Sequence, residues 1–277
     1  MFWHESAAVP ALGRAATTAA LLACLLGAGG CQSSGLQPPS ASSFAASEPE
    51  LRRRAEDLGR EYDRNPDAKE AALRYAQTLR RLSQYPQAAA ILQRLAAKYP
   101  GDTQVLGAYG KALADAGRLR EAAEVLAHAH TPERPDWSIL SAQGSVADEL
   151  GEHEQAQAYY AAALKIVPSE PHVLSNLGLS YALTKKLPLA EKALKEAATQ
   201  PGADGRVRQN LAFVLALEGK FAQAEDVSRN DLDSQEAAAN VTAIRRTLAQ
   251  NRAQKELRPP GAESRPAAKA FAGANLD

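Results

Sequence analysis

Cysteine is nearly missing from this 277-residue chain, which has only Cys24 and Cys31 and none after them. That absence excludes a structural disulfide, a thiol nucleophile and a Cys-rich zinc site from everything downstream. An excess of one charge is missing too, because Lys plus Arg and Asp plus Glu each total 32. Nucleic-acid binders carry a basic surplus and solvating tails an acidic one, so the balance points to protein partners and away from nucleic acid. The five histidines have no Cys, Asp or Glu recurring at coordinating spacing, so neither a metal nor a cofactor is expected. His128 and His130 are read as two apart on one helix and so facing different directions. Ser138, Ser141 and Ser145 precede Asp148 and Glu149, but no GxSxG elbow or partnering histidine accompanies them. They read as the polar wall of a groove, and no enzyme is expected.

The longest uncharged run, AATTAALLACLLGAGG after Arg14, has 16 residues, short of the ~20 a membrane span needs. It reads as an export signal over residues 1–30, with small residues Gly27 to Gly30 at its end. Ala28-Gly29-Gly30-Cys31 followed by Gln32 resembles a bacterial lipobox, in which the cysteine is acylated and becomes the mature N-terminus. Lipoboxes usually carry leucine where Ala28 stands. Leu21-Leu22-Ala23-Cys24 restores it but leaves only nine residues after Arg14, and cleavage without a lipid stays open. Residues 31–48 are mostly Ser, Pro, Ala and Gly, too poor in apolar surface to fold, and read as a tether.

Five stretches then begin 34 residues apart, at Lys69, Thr103, Trp137, Pro171 and Gly205. Their twentieth position is always alanine (Ala88, Ala122, Ala156, Ala190, Ala224), and the eighth is always alanine or glycine (Ala76, Gly110, Gly144, Gly178, Ala212). Ser83, Gly117, Gly151, Lys185 and Gly219 fill the fifteenth, where a turn is expected. A fixed period with small residues in fixed columns resembles the tetratricopeptide repeat, an all-α unit of two antiparallel helices that stacks into a right-handed solenoid. The spacing predicts helices over 71–81 and 86–98 in the first copy, with equivalents through residue 234. Residues 49–68 read as an N-terminal capping helix, 235–257 as a C-terminal one, and 258–277 as a disordered tail.

The resemblance implies a concave wall lined by the second, fifth, sixth, ninth, twelfth and thirteenth positions of each first helix. Mapped here, repeat one contributes a basic face of Arg74, Arg80 and Arg81, and repeats four and five contribute Asn176, Leu179, Leu183, Arg206, Asn210 and Phe213. Two asparagines one repeat apart are suited to hold a peptide backbone, while the leucines and Phe213 accept its apolar side chains. The alternative is that Asn176 and Asn210 are ordinary surface residues and that the leucines and Phe213 belong to the core between repeats.

Signal, tether and five repeats together resemble the tetratricopeptide lipoprotein of the tight-adherence (Flp/Tad) pilus system, the TadD-like family. AYGKALADAGRLREAAEVL, PDWSILSAQGSVADELGEHEQAQAYYAAALKIVPSEP and NLGLSYAL carry the likeness. It implies an outer-membrane lipoprotein facing the periplasm, anchored through Cys31, that assembles or places the secretin. It implies no catalytic residue, cofactor or small-molecule substrate. A scaffold for outer-membrane protein insertion or for cell-wall enzymes would use the same anchor and groove, and a cytoplasmic co-chaperone would follow only if export failed.

Overall fold

The computed structural model describes residues 47–256, with side chains through residue 250. The expected export signal, Cys31, nearly all of the expected tether and the expected tail lie outside the described residues. Within them the chain forms twelve α-helices and no strand, apart from one isolated bridge between Thr131 and Arg134. They are α1 (Glu48–Arg64), α2 (Lys69–Arg81), α3 (Tyr85–Lys98), α4 (Thr103–Asp115), α5 (Leu119–Ala127) and α6 (Trp137–Leu150). There follow α7 (His153–Ile166), α8 (Pro171–Leu183), α9 (Leu187–Thr199), α10 (Gly205–Leu217), α11 (Phe221–Ser228) and α12 (Ser234–Glu256).

The 34-residue register is the register of the helices. All five first helices begin at the first column, and all five second helices at the seventeenth. Asp102, Asp136, Glu170 and Asp204 recur just before α4, α6, α8 and α10, and each side chain accepts hydrogen bonds from the otherwise unpaired amides of the first turn. The turn column is left-handed throughout, with φ of 74°, 83° and 79° at Gly117, Gly151 and Gly219 but also 57° at Ser83 and 61° at Lys185. Those two side chains hold a conformation that costs an L-residue roughly 1–2 kcal/mol, so packing on both sides of the turn must enforce it.

That packing is close. Every alanine of the twentieth column has 0% of its surface exposed. A Cβ added at Gly144 would lie 2.6 Å from the Tyr160 ring, one at Gly178 2.6 Å from Leu194 Cγ, and one at Gly110 2.5 Å from Leu126 Cγ. The eighth column is therefore small because the twenty-fourth column of the same repeat is large and buried, at Leu126, Tyr160 and Leu194. Each such buried side chain stabilises the fold by about 1.5–3 kcal/mol, which marginal helices of nine to fourteen residues require.

Successive first helices also touch one another: α2 packs on α4, α4 on α6, α6 on α8, and α8 on α10. Successive second helices do not meet. The first helices thus form the tighter, inner side of the stack. At the ends, α1 buries Leu51, Ala55 and Leu58 against α2, and α12 buries Ala237 and Val241 while packing on both α10 and α11.

One reading is corrected. His128 and His130 do not share a helix, because α5 stops at Ala127 with His128 as its C-cap and His130 beyond it. The downstream TPERPD sequence holds two prolines, neither of which fits a helix interior, so the second helix of repeat two is cut short.

Candidate functional site: the inner wall of the solenoid

In repeats one to three the wall carries charge that is matched within the chain. Arg80 on α2 donates from Nε to Asp115 on α4, and the two side chains are only 15% and 7% exposed. Arg74 donates to Glu61 of α1 at 2.9 Å. Of the expected basic face, then, only Arg81 stands exposed without such a partner, and the face is not a bank of free cations. The reason is register: Asp115 follows Arg80 by 35 residues, one repeat plus one position, which places it across the first-helix contact. Lys111 reaches Ser138 Oγ at 3.3 Å, and burial, reinforced by the Arg80 charge, holds its ammonium below the ordinary lysine range.

The serines resolve similarly. Ser138 Oγ donates to the capping Asp136, Ser145 Oγ donates to the Ser141 carbonyl, and the buried Tyr160 hydroxyl donates to Ser145. Asp148 accepts from His153 Nδ1 at 2.9 Å and from Ser180 Oγ at 2.8 Å, joining α6, α7 and α8. Burial pushes its carboxyl above the usual carboxylate range, and the two donors only partly offset that. Serine and histidine here both bind the same carboxylate and not each other, so no nucleophile-to-base hydrogen bond exists in the cluster. What it does is fasten repeat three to repeat four.

Repeats four and five are different. Asn176, Leu179 and Leu183 on α8 and Arg206, Asn210, Phe213 and Leu217 on α10 are all half-buried. Asn176 makes no hydrogen bond among the described residues. Asn210 is already oriented, because its Nδ2 donates to the buried Ser175 Oγ at 3.0 Å across the repeat boundary, leaving Oδ1 outward-capable as an acceptor. Phe213 rests on the apolar core of the last two repeats while keeping part of its ring exposed. Arg206 Nε is 3.4 Å from Asp204, which also caps α10. The floor is therefore apolar, flanked by one free and one pre-set amide. Among the described residues, no group of three or more His, Cys, Asp or Glu is placed to hold a metal ion.

Sequence reasoning missed the two hydrogen-bonded ties, Asp148–Ser180 and Ser175–Asn210. It also missed an outer depression on the fourth repeat, although a column comparison reveals it.

A stack of helix-turn-helix units with its first helices inward defines the class as a helical-repeat scaffold. Tetratricopeptide repeat models match residues 50–103 and 141–205 and, in a second version, 79–144. The chain belongs to the tetratricopeptide repeat family. Among curated proteins none matches it in sequence. Among solved structures it is similar to human IFIT1 as a dimer with m7Gppp-AAAA, at TM-score 0.59 and 15% identity over 76% of this chain and 52% of that one. It is also similar to a chain of the APC/C hetero-tetramer Cut9-Hcn1, at TM-score 0.56 and 17% identity over 70% of this chain and 40% of that one. The chain thus spans about half or less of the length of these relatives, and at such identities they show the fold alone.

Proposed function

We propose that this tetratricopeptide protein is a non-enzymatic scaffold lipoprotein of the bacterial envelope, acylated at Cys31 and held at the outer membrane facing the periplasm. Its inner wall in repeats four and five captures an extended segment of a pilus-assembly partner, the secretin or a protein beside it. The observation that carries the reading is Asn176: a half-buried amide without a partner, next to the apolar floor of Leu179, Leu183 and Phe213. An amide left with unmet donors and acceptor beside an apolar surface suits an extended peptide, whose backbone offers both complements and whose alternate side chains need a floor.

The test separates anchor from groove. Cys31→Ser followed by fractionation should release the protein from membranes, since the several acyl groups of a bacterial lipoprotein hold what one chain cannot. A variant that stays membrane-bound and normally processed overturns the anchor. Asn176→Ala with Leu183→Ser should leave the helices intact by circular dichroism yet lower secretin multimers and their co-purification by tenfold or more, the signature of a contact worth about 1.4 kcal/mol or above. Undiminished multimers with a well-folded variant exclude this groove.

A further inference from the structure

On the outer side of the fourth repeat, Leu189 and Ala193 stand where the other copies carry a polar and a bulky residue, and they open a depression of about 370 Å³ whose edge holds both Lys192 and Glu196. Opposite charges there favour no partner of either sign. The inner wall differs. Its thirteenth column runs Arg81, Asp115, Glu149, Leu183 and Leu217 from the first repeat to the fifth. Asp115 is already taken by Arg80. Glu149, one repeat before Leu183, is exposed and makes no hydrogen bond or ion pair among the described residues. The crowded concave wall and, after it, the Asp115 charge push its carboxyl above the usual carboxylate range, so a cation brought beside it meets an acid with no competing partner. The apolar floor of repeats four and five therefore begins next to an unpaired negative charge.

Successive first helices touch, so equivalent columns of neighbouring repeats lie about one helix-to-helix distance apart, roughly 8–10 Å. A ligand that matches the column must present side chains on one side at that interval. In a β-strand the side chains of one face recur every two residues, at about 6.6 Å, and three residues on they point the other way. In polyproline II, with three residues per turn and a rise of about 3.1 Å, they recur every third residue, at about 9.3 Å. Its backbone makes no internal hydrogen bond, which leaves carbonyls and amides free for Asn176 and for Oδ1 of Asn210. We infer that the inner wall takes a polyproline-II segment carrying one basic and two apolar side chains at three-residue intervals, the basic one against Glu149 and the apolar ones on repeats four and five. Each apolar side chain then rests on two wall residues one helical turn apart, Leu179 with Leu183 and Phe213 with Leu217. This occupant presupposes the inner-wall site proposed above and narrows it, from any extended segment to one period and one sign of charge.

The experiment titrates the full chain into dye-labelled peptides at low salt and reads fluorescence anisotropy. Lys-Ala-Pro-Leu-Ala-Pro-Leu and Leu-Ala-Pro-Leu-Ala-Pro-Lys present the three-residue period in both chain directions, and Lys-Ala-Leu-Ala-Leu-Pro-Pro presents the strand period with the same composition. One of the first two should bind at least fivefold tighter than the third. Glu149→Gln should weaken that peptide roughly two- to fivefold, the range of a single exposed ion pair, and leave the helices unchanged by circular dichroism because no partner is lost. Glu149→Lys should move the preference to the same peptide with Glu in place of Lys. Equal binding of the two spacings, no binding of either three-residue peptide, indifference to Glu149, or binding that Leu183→Ser does not weaken overturns the proposal. Failure here is distinguishable from failure of the groove: if the Asn176→Ala, Leu183→Ser variant loses its secretin while both spacings bind the parent alike, the groove stands and the period and charge are overturned.

Discussion

The same columns of the same repeat are put to opposite use at the two ends of the inner wall. In repeats one to three, positions nine, twelve and thirteen include Lys111, Arg80, Asp115 and Asp148, which reach partners on a neighbouring repeat or helix, beside the exposed Arg81 and Glu149. In repeats four and five those positions hold Leu179, Leu183, Phe213 and Leu217, with surface still open to solvent. The paired wall charges are held within the chain, whereas the apolar wall residues of repeats four and five keep part of their surface toward solvent. Composition alone offers the arginines as free cations, and the register shows instead that Arg74 and Arg80 are paired within the chain.

The comparison is broken most severely by Asp115→Ala. Removing the carboxylate leaves Arg80, 15% exposed, without its ion-pair partner and close to the Lys111 charge, and uncoupling a buried pair in this way costs about 3 kcal/mol. Chemical denaturation should show that loss, whereas Glu61→Ala, which frees the half-exposed Arg74, should cost no more than about 1 kcal/mol. Similar losses from both would mean that the wall of repeats one and two is not internally locked. Next in size is Gly144→Ala. Its Cβ would lie 2.6 Å from the ring of Tyr160, which is 2% exposed and has no room to retreat, so overpacking of about 2 kcal/mol is expected as a lowered melting temperature.

These two positions show what the sequence discloses and what it withholds. Gly144 was legible, because a small residue in every eighth column signals a close approach before any coordinates are drawn. Helix starts and the left-handed turns were legible for the same reason: repetition reports geometry that a single helix does not. The Arg80–Asp115 pair was hidden although its offset of one repeat plus one position is plain afterwards, because charge columns are not repeated from copy to copy and only one pair of repeats carries it. Asn176 and Asn210 look equivalent in sequence, yet Ser175 ties one and not the other. The early end of α5 was obscured because the period continues through it unchanged.

A smaller effect sharpens the contrast through pH. Burial raises the Asp148 carboxyl above its unfolded value, so its favourable contribution is complete below the unfolded pKa and is lost as pH rises through the folded one. Tyr160 from α7 and Ser180 from α8 complete its surroundings and do not titrate there to oppose the trend. Asp148→Asn keeps an oxygen to accept from Ser180 and removes the titration. The melting temperature of the variant should therefore gain on the parent between pH 3 and 7. A constant difference across that range would show that Asp148 is not held against its charge.

The smallest stability effect belongs to the residue with the largest assigned role. Asn176 is half-buried and makes no hydrogen bond among the described residues, so Asn176→Ala removes no intramolecular partner and leaves no orphan behind. Its effect on unfolding should stay within about 0.5 kcal/mol, as for surface positions that carry no structural duty. Asn210→Ala is the control, since it strands the buried Ser175 hydroxyl and should cost about 1 kcal/mol or more although the two asparagines share a column. Equilibrium denaturation of both variants, side by side, checks the pair. If Asn176→Ala proves as costly as Asn210→Ala, the amide is a structural one and the open half of the wall loses its distinguishing feature. If it is silent in stability while secretin co-purification falls, a side chain the fold does not use is one that a partner does.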